Sequence, residues 1–90
     1  MTDPASIKAQ IRQFVMENAQ SKGINAVSDT DPLTEMGIID SLGIFRMVSF
    51  LEDNFGVRIG DEEIVTDNFQ NIDQIENFVL AKLAAKAGPR

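Results

Sequence analysis

The sequence predicts an all-α fold: a small four-helix bundle with three main helices, one short helix and a long first connection. Three observations carry that expectation. Apolar residues recur at three- and four-residue steps in three separate stretches, the spacing of one face of an α-helix. Each stretch carries helix punctuation, with Asp3-Pro4, Asp40 and Asn71 at the starts and Gly23 and Gly56 at two of the ends. Ninety residues that are 43% apolar are enough for one small core. A single domain over residues 1–90 is therefore expected, with its core over 4–84 and a frayed tail over 85–90, where Gly88 and Pro89 cannot continue a helix.

The elements follow in order. Asp3 can cap the first helix and Pro4 fits its first position, where a missing N–H costs nothing. Ile7, Ile11, Phe14 and Val15 then mark a helix over residues 4–19. Residues 21–40 form a connection rich in turn formers (Ser28, Asp29, Thr30, Asp31, Pro32). It also holds Ile24, Val27, Leu33, Met36, Ile38 and Ile39, so it is expected to lie across the bundle and bury them. The second helix follows Asp40, with Leu42, Phe45, Val48, Leu51 and Phe55 as its stripe and Gly56 as a left-handed cap. Asp61, Glu62, Glu63, Ile64 and Val65 read as one or two helical turns with acids at the start. In the last helix Asn71 and Gln74 form a capping-box-like pair, Phe69 staples back, and Ile72, Ile75, Phe78, Val79 and Leu83 supply the stripe.

Composition excludes several functions. The chain has no Cys and no His, so disulfides, thiolate or imidazole zinc sites and Ser-His-Asp or Cys-His machinery cannot be built within it. Fourteen Asp/Glu against eight Lys/Arg give a net charge of −6, which is unsuited to binding nucleic acid. Asp29, Asp31 and Glu35 lack the spacing of a calcium loop. The residues MTDPASIKAQIRQ contain no apolar run of signal or membrane length, so a cytoplasmic, non-membrane protein is expected. A monomer is expected, and not an enzyme, since a hydrolase would need a base or a paired acid in a pocket. The charge is concentrated. Asp40, Glu52, Asp53, Asp61, Glu62, Glu63 and Asp67 face only Arg46 and Arg58 over residues 40–67, which places −5 of the −6 there. Such a patch attracts basic partner surfaces through fast, salt-sensitive association. Its self-repulsion also implies that salt stabilises the chain.

One segment combines a reactive group with a favourable place for it. In Gly37-Ile38-Ile39-Asp40-Ser41-Leu42, Asp40 caps the second helix and Ser41 sits in its first turn. A helix N-terminus offers unpaired N–H groups and partial positive charge, which suit a phosphate ester on that hydroxyl. From these residues alone, a simple cap and a modified serine both remain open.

The wider pattern resembles the acyl carrier protein family of phosphopantetheine-binding carriers. The resemblance rests on Met36-Gly37-Ile38-Ile39-Asp40-Ser41-Leu42, on Leu51-Glu52-Asp53-Asn54-Phe55-Gly56-Val57-Arg58-Ile59, on Asp61-Glu62-Glu63-Ile64 and on Phe69-Gln70-Asn71-Ile72-Asp73-Gln74-Ile75. It spans residues 7–83. It implies that Ser41 carries a phosphopantetheine derived from coenzyme A, with Asp40 and Leu42 flanking the attachment point. The thiol of that arm would hold acyl or aminoacyl groups as thioesters, which fits a chain without cysteine of its own. The implied partners are a phosphopantetheinyl transferase and enzymes that activate and transfer acyl or aminoacyl groups in fatty acid, lipid, polyketide or related secondary metabolism. Ile44, Arg46, Met47, Glu52, Asp53, Asp61, Glu62 and Glu63 are the expected docking residues. Phe45, Met47, Val48, Leu51, Ile59 and Ile64 are either cargo-lining or plain core, and core is the favoured reading.

The sequence also departs from the family pattern. Gly43 follows Leu42, Arg46 stands where an acid is expected, and Ser49 and Phe50 depart from the small-to-medium apolar residues usual in that helix. These changes point to a specialised stand-alone carrier. The alternative is a helical adaptor that binds a partner through its second helix and is never modified.

Overall fold

The computed structural model describes residues 4–87, and side-chain surroundings for residues 6–85. Among these residues the regular structure is entirely helical: α1 (Pro4–Gln20), α2 (Ser41–Phe55) and α3 (Ile72–Ala87), with short 3-10 turns at Asp61–Glu63 and Thr66–Phe69. The expected short helix over 61–65 is a single turn at Asp61–Glu63, and the further turn at Thr66–Phe69 was not expected from the sequence pattern. The Asp3 cap lies outside the described residues. Helix α3 reaches Ala87 and so takes in three residues assigned to the tail, while residues 88–90 lie outside the description.

Helix α1 buries Ile7, Ile11, Val15 and Ala19, one residue per turn on the face turned to the core. It packs most extensively on α3, whose Ile72, Ile75 and Val79 are fully buried. Phe14 is only half-buried and lies against Phe50 of α2, with ring centroids 4.9 Å apart. At its end, Gly23 N–H donates to Gln20 O (3.0 Å) and Ile24 N–H to Ala19 O (2.9 Å), the double bond of a Schellman motif. Gly23 stands at φ +81, a conformation that glycine adopts without a side-chain clash.

The connection over 21–40 is part of the core. Val27, Leu33, Ile38 and Ile39 are buried and Ile24 is half-buried. Met36 departs from the expectation: it is 37% exposed, at the tip of a turn closed by Met36 N–H to Pro32 O and Gly37 N–H to Thr34 O. The connection is tied to the start of α3 by Leu33 N–H to Gln70 O (2.8 Å) and Asp73 N–H to Asp29 O (3.1 Å). Side chains reinforce this tie. Arg12 donates to Asp29 Oδ1 (2.6 Å) and Val27 O (3.2 Å), and Lys8 Nζ reaches Asp73 (2.9 Å), Asp29 (3.5 Å) and Glu76 (3.6 Å). The Arg12 hydrogen bond holds the Asp29 carboxyl below its ordinary range, and the Asp73 bond is the chief reason that the Lys8 ammonium titrates above its own.

After α2 the chain returns through Val57 and Ile59, both buried. Glu52 folds back to accept from Ile59 N–H (2.9 Å). Glu63 anchors the next segment. Its carboxylate accepts from Gly60 N–H (2.9 Å) and from Lys82 Nζ of α3 (2.8 and 3.0 Å), and its carbonyl accepts from Asn68 Nδ2 (2.8 Å). The Lys82 contact, followed by the Gly60 bond, lowers the Glu63 pKa. Phe69 is fully buried ahead of α3, edge-on to Phe78 at 5.6 Å. Asn71 Oδ1 accepts from Gln74 N–H at 2.7 Å, which forms the Asn71 half of the expected box.

Candidate functional site

The site is built at the start of α2. Ile38 and Ile39 are pinned in the core, and their N–H groups both donate to Leu33 O (3.0 and 3.3 Å). The chain then emerges at Asp40, whose extended backbone (φ −100, ψ −171) ends the connection. Asp40 Oδ1 accepts from Gly43 N–H at 2.7 Å, the N-cap bond expected from the sequence. That bond, and then the charges of Lys22 and Arg46, hold the Asp40 carboxyl below the usual carboxylate range. Ser41 is the first residue of the helix and is exposed. The C-terminal end of α2 is closed by Gly56 at φ +67, as expected, with its N–H donating to Glu52 O.

The surroundings of Ser41 suit a phosphodiester on its hydroxyl. On this exposed residue the charged non-bridging oxygens of the phosphodiester would stay hydrated. The first-turn N–H groups and the helix dipole favour an anion there. Lys22 and Arg46 are close enough to act on Asp40, so they also offset a second negative charge beside it. The carboxylate of Asp40 itself takes the Gly43 N–H of that turn, so an anion on Ser41 would meet the helix dipole and the remaining first-turn N–H groups.

Two expected core residues of α2 are at the surface instead. Leu42 is 60% and Phe45 57% exposed, while the buried face is Gly43, Met47, Val48, Leu51 and Phe55. Spacing alone allowed both faces, because this helix is apolar over more than one of them. Leu42, Phe45 and Arg46 thus form an exposed surface on the two turns next to Ser41. Among the expected docking residues, Met47 is fully buried and offers nothing to a partner in this conformation. Ile44 is half-buried, and Arg46, Asp53, Asp61 and Glu62 are exposed. Glu52 and Glu63 are held by Ile59 N–H and by Lys82. Of the candidate cargo-lining residues, Met47, Val48, Leu51 and Ile59 lie in the core, Ile64 is half-buried and Phe45 faces outward. A groove of about 350 Å³ is lined by Gly56, Val57, Arg58, Lys82 and Ala85. It lies at the opposite end of α2 from Ser41, about 20 Å along the helix.

Sequence reasoning missed Lys82, which fixes the segment after α2 through Glu63. It also missed why position 43 is glycine. No local signal reveals Lys82, since its partner is nineteen residues away. Gly43 carries a signal, a glycine inside a helical pattern, but in the sequence it shows only as a departure from the family pattern.

The sequence matches the phosphopantetheine attachment site family over residues 9–79, a stretch running from within α1 to within α3 and including Ser41. The chain belongs to this family. Comparison with curated proteins finds no match. The group that this family carries is phosphopantetheine, covalently bound. Its members act as carriers that meet phosphopantetheinyl transferases and acyl-handling enzymes. The helical architecture of this carrier agrees with the fold that the resemblance implied. Among the described residues, no helix of the carrier is long and apolar enough to cross a membrane.

Proposed function

We propose that Ser41 is the attachment residue and that the chain is a specialised acyl carrier. The observation that carries this reading is the placement of an exposed serine as the first residue of α2, behind a capped Asp40, inside the matched family region. Bound there, the arm supplies a terminal thiol that holds acyl or aminoacyl groups as thioesters. The chain's own residues present and orient the hydroxyl. Asp40 closes the helix, Ile38 and Ile39 anchor the preceding turn, and Lys22 and Arg46 temper the added charge. Leu42, Phe45 and Arg46 then form the docking face, with Asp53, Asp61 and Glu62 as its acidic flank. The partners are a transferase and acyl- or aminoacyl-transferring enzymes of fatty acid, lipid, polyketide or related secondary metabolism. The setting is cytoplasmic, and the catalysis is left to the partners.

The test is intact mass after incubation with coenzyme A, magnesium and a broad-specificity phosphopantetheinyl transferase. A gain of one phosphopantetheine that is lost in Ser41→Ala supports the reading. No gain with several transferases overturns it and leaves the unmodified adaptor, for which the exposed Leu42 and Phe45 would be the binding face.

A further inference from the structure

We infer that Gly43 is a positioning residue for Ser41: its missing side chain lets Ile39 and the Asp40 carboxylate close beneath the first turn of α2, and that closure sets the direction in which the Ser41 hydroxyl leaves the helix. This rests on the reading of Ser41 as the attachment residue.

The backbone does not demand glycine here, since Gly43 has no positive φ, unlike Gly23, Gly37 and Gly56. Space demands it. A Cβ at position 43 would stand 3.1 Å from Ile39 Cγ2, 3.3 Å from Asp40 Oδ1 and 3.7 Å from Ile39 Cβ. Neither neighbour can move freely. Ile39 is 2% exposed, β-branched and restricted at χ1, and its N–H is bonded to Leu33 O. Asp40 Oδ1 is committed to Gly43 N–H at 2.7 Å. A methyl group must therefore displace one of the two residues that lead directly into Ser41.

Two effects of Gly43→Ala oppose each other, which makes the inference testable. Alanine is the better helix former, so a purely structural view of this glycine expects an unchanged or firmer α2. Positioning expects the hydroxyl to be misdirected. Transfer of phosphopantetheine from coenzyme A, with magnesium and a broad-specificity transferase, is followed by intact mass for wild type, Gly43→Ala, Ile39→Leu, the double variant and Ser41→Ala. In Gly43→Ala kcat should fall severalfold, because relieving the 3.1 and 3.3 Å contacts takes a shift of a few tenths of an ångström and a misplacement near 1 Å can cost about a hundredfold. KM for the carrier should stay within about twofold of wild type, because Leu42, Phe45 and Arg46 keep their exposed face. Ile39→Leu removes the Cγ2 branch and should restore kcat in the double variant.

Wild-type kcat in Gly43→Ala, a defect confined to KM, or a loss that Ile39→Leu does not relieve would each overturn the inference while leaving the Ser41 reading intact. A wild-type chain that takes up no phosphopantetheine overturns both. A second measurement needs no variant: in wild type the Gly43 amide proton should shift with titration of the Asp40 carboxyl, and an amide indifferent to that titration refutes the closure of Asp40 onto Gly43.

Discussion

Leu33→Ala tests whether the long connection before Ser41 is an integral part of the fold. Leu33 is fully buried, its N–H donates to Gln70 O, and its carbonyl receives both Ile38 and Ile39 N–H groups. Truncating a buried leucine to alanine costs about 2–5 kcal/mol, depending on how far the surroundings collapse. Here the backbone is held on both sides, so collapse is restricted and a loss of about 3–4 kcal/mol is expected. A chain of this length has about 5–13 kcal/mol in total, so the loss is a large fraction of it. At about 4–8 °C per kcal/mol, Tm should fall by at least about 12 °C. The chain has no Trp or Tyr, so far-UV circular dichroism is the suitable probe, in thermal and urea melts. Met36→Ala, on the same connection but 37% exposed, should cost under about 1 kcal/mol. A Leu33→Ala loss below about 1 kcal/mol, or equal losses in the two variants, would refute the packed-connection argument.

Four further outcomes are expected. Leu42→Ala and Phe45→Ala should each change stability by no more than about 0.5 kcal/mol in urea melts, yet raise KM for the transferase severalfold, since both side chains are exposed next to Ser41. Glu63→Gln should cost about 1 kcal/mol by the same melts, because a partly exposed ion pair with Lys82 and an acceptor for Gly60 N–H are weakened together. Asp29, Asp40 and Glu63 have lowered pKa values in the folded state, so their stabilisation is complete above about pH 5 and is lost as pH falls below about 4; acid melts should steepen there, less so in Glu63→Gln. Tm should rise with added salt, because Asp53, Asp61, Glu62 and Asp67 are exposed acids in one region, and a falling Tm would show that the Lys8, Arg12 and Lys82 ion pairs dominate.

Much of the fold was legible because its signals are local. Pro4, Asp40, Gly56 and Asn71 mark helix ends through rules that act over three or four residues, and all four stand where those rules place them. Hydrophobic spacing identified the helices but could not tell covered from uncovered faces. Leu42 and Phe45 fit a stripe as well as Met47 does, and only the packing of three helices decides between them. The network of Lys8 and Arg12 with Asp29, Asp73 and Glu76 joins residues far apart in sequence, so no local pattern reveals it. The place of Ser41 as the first residue of α2 was legible from the Asp40 cap before it. Gly43 was visible as an anomaly, and its reason, the Ile39 side chain beneath it, was visible only in three dimensions.

The most direct measurement of the central claim is the location of the arm. Trypsin cuts after Lys22 and Arg46 and nowhere between, so one peptide over residues 23–46 contains Ser41 together with Ser28, Thr30 and Thr34. After treatment with coenzyme A and a transferase, fragmentation of that peptide should place the whole phosphopantetheine mass on Ser41. An unmodified 23–46 peptide from a chain that has gained the mass, or fragments that place it on Ser28, Thr30 or Thr34, would contradict the account.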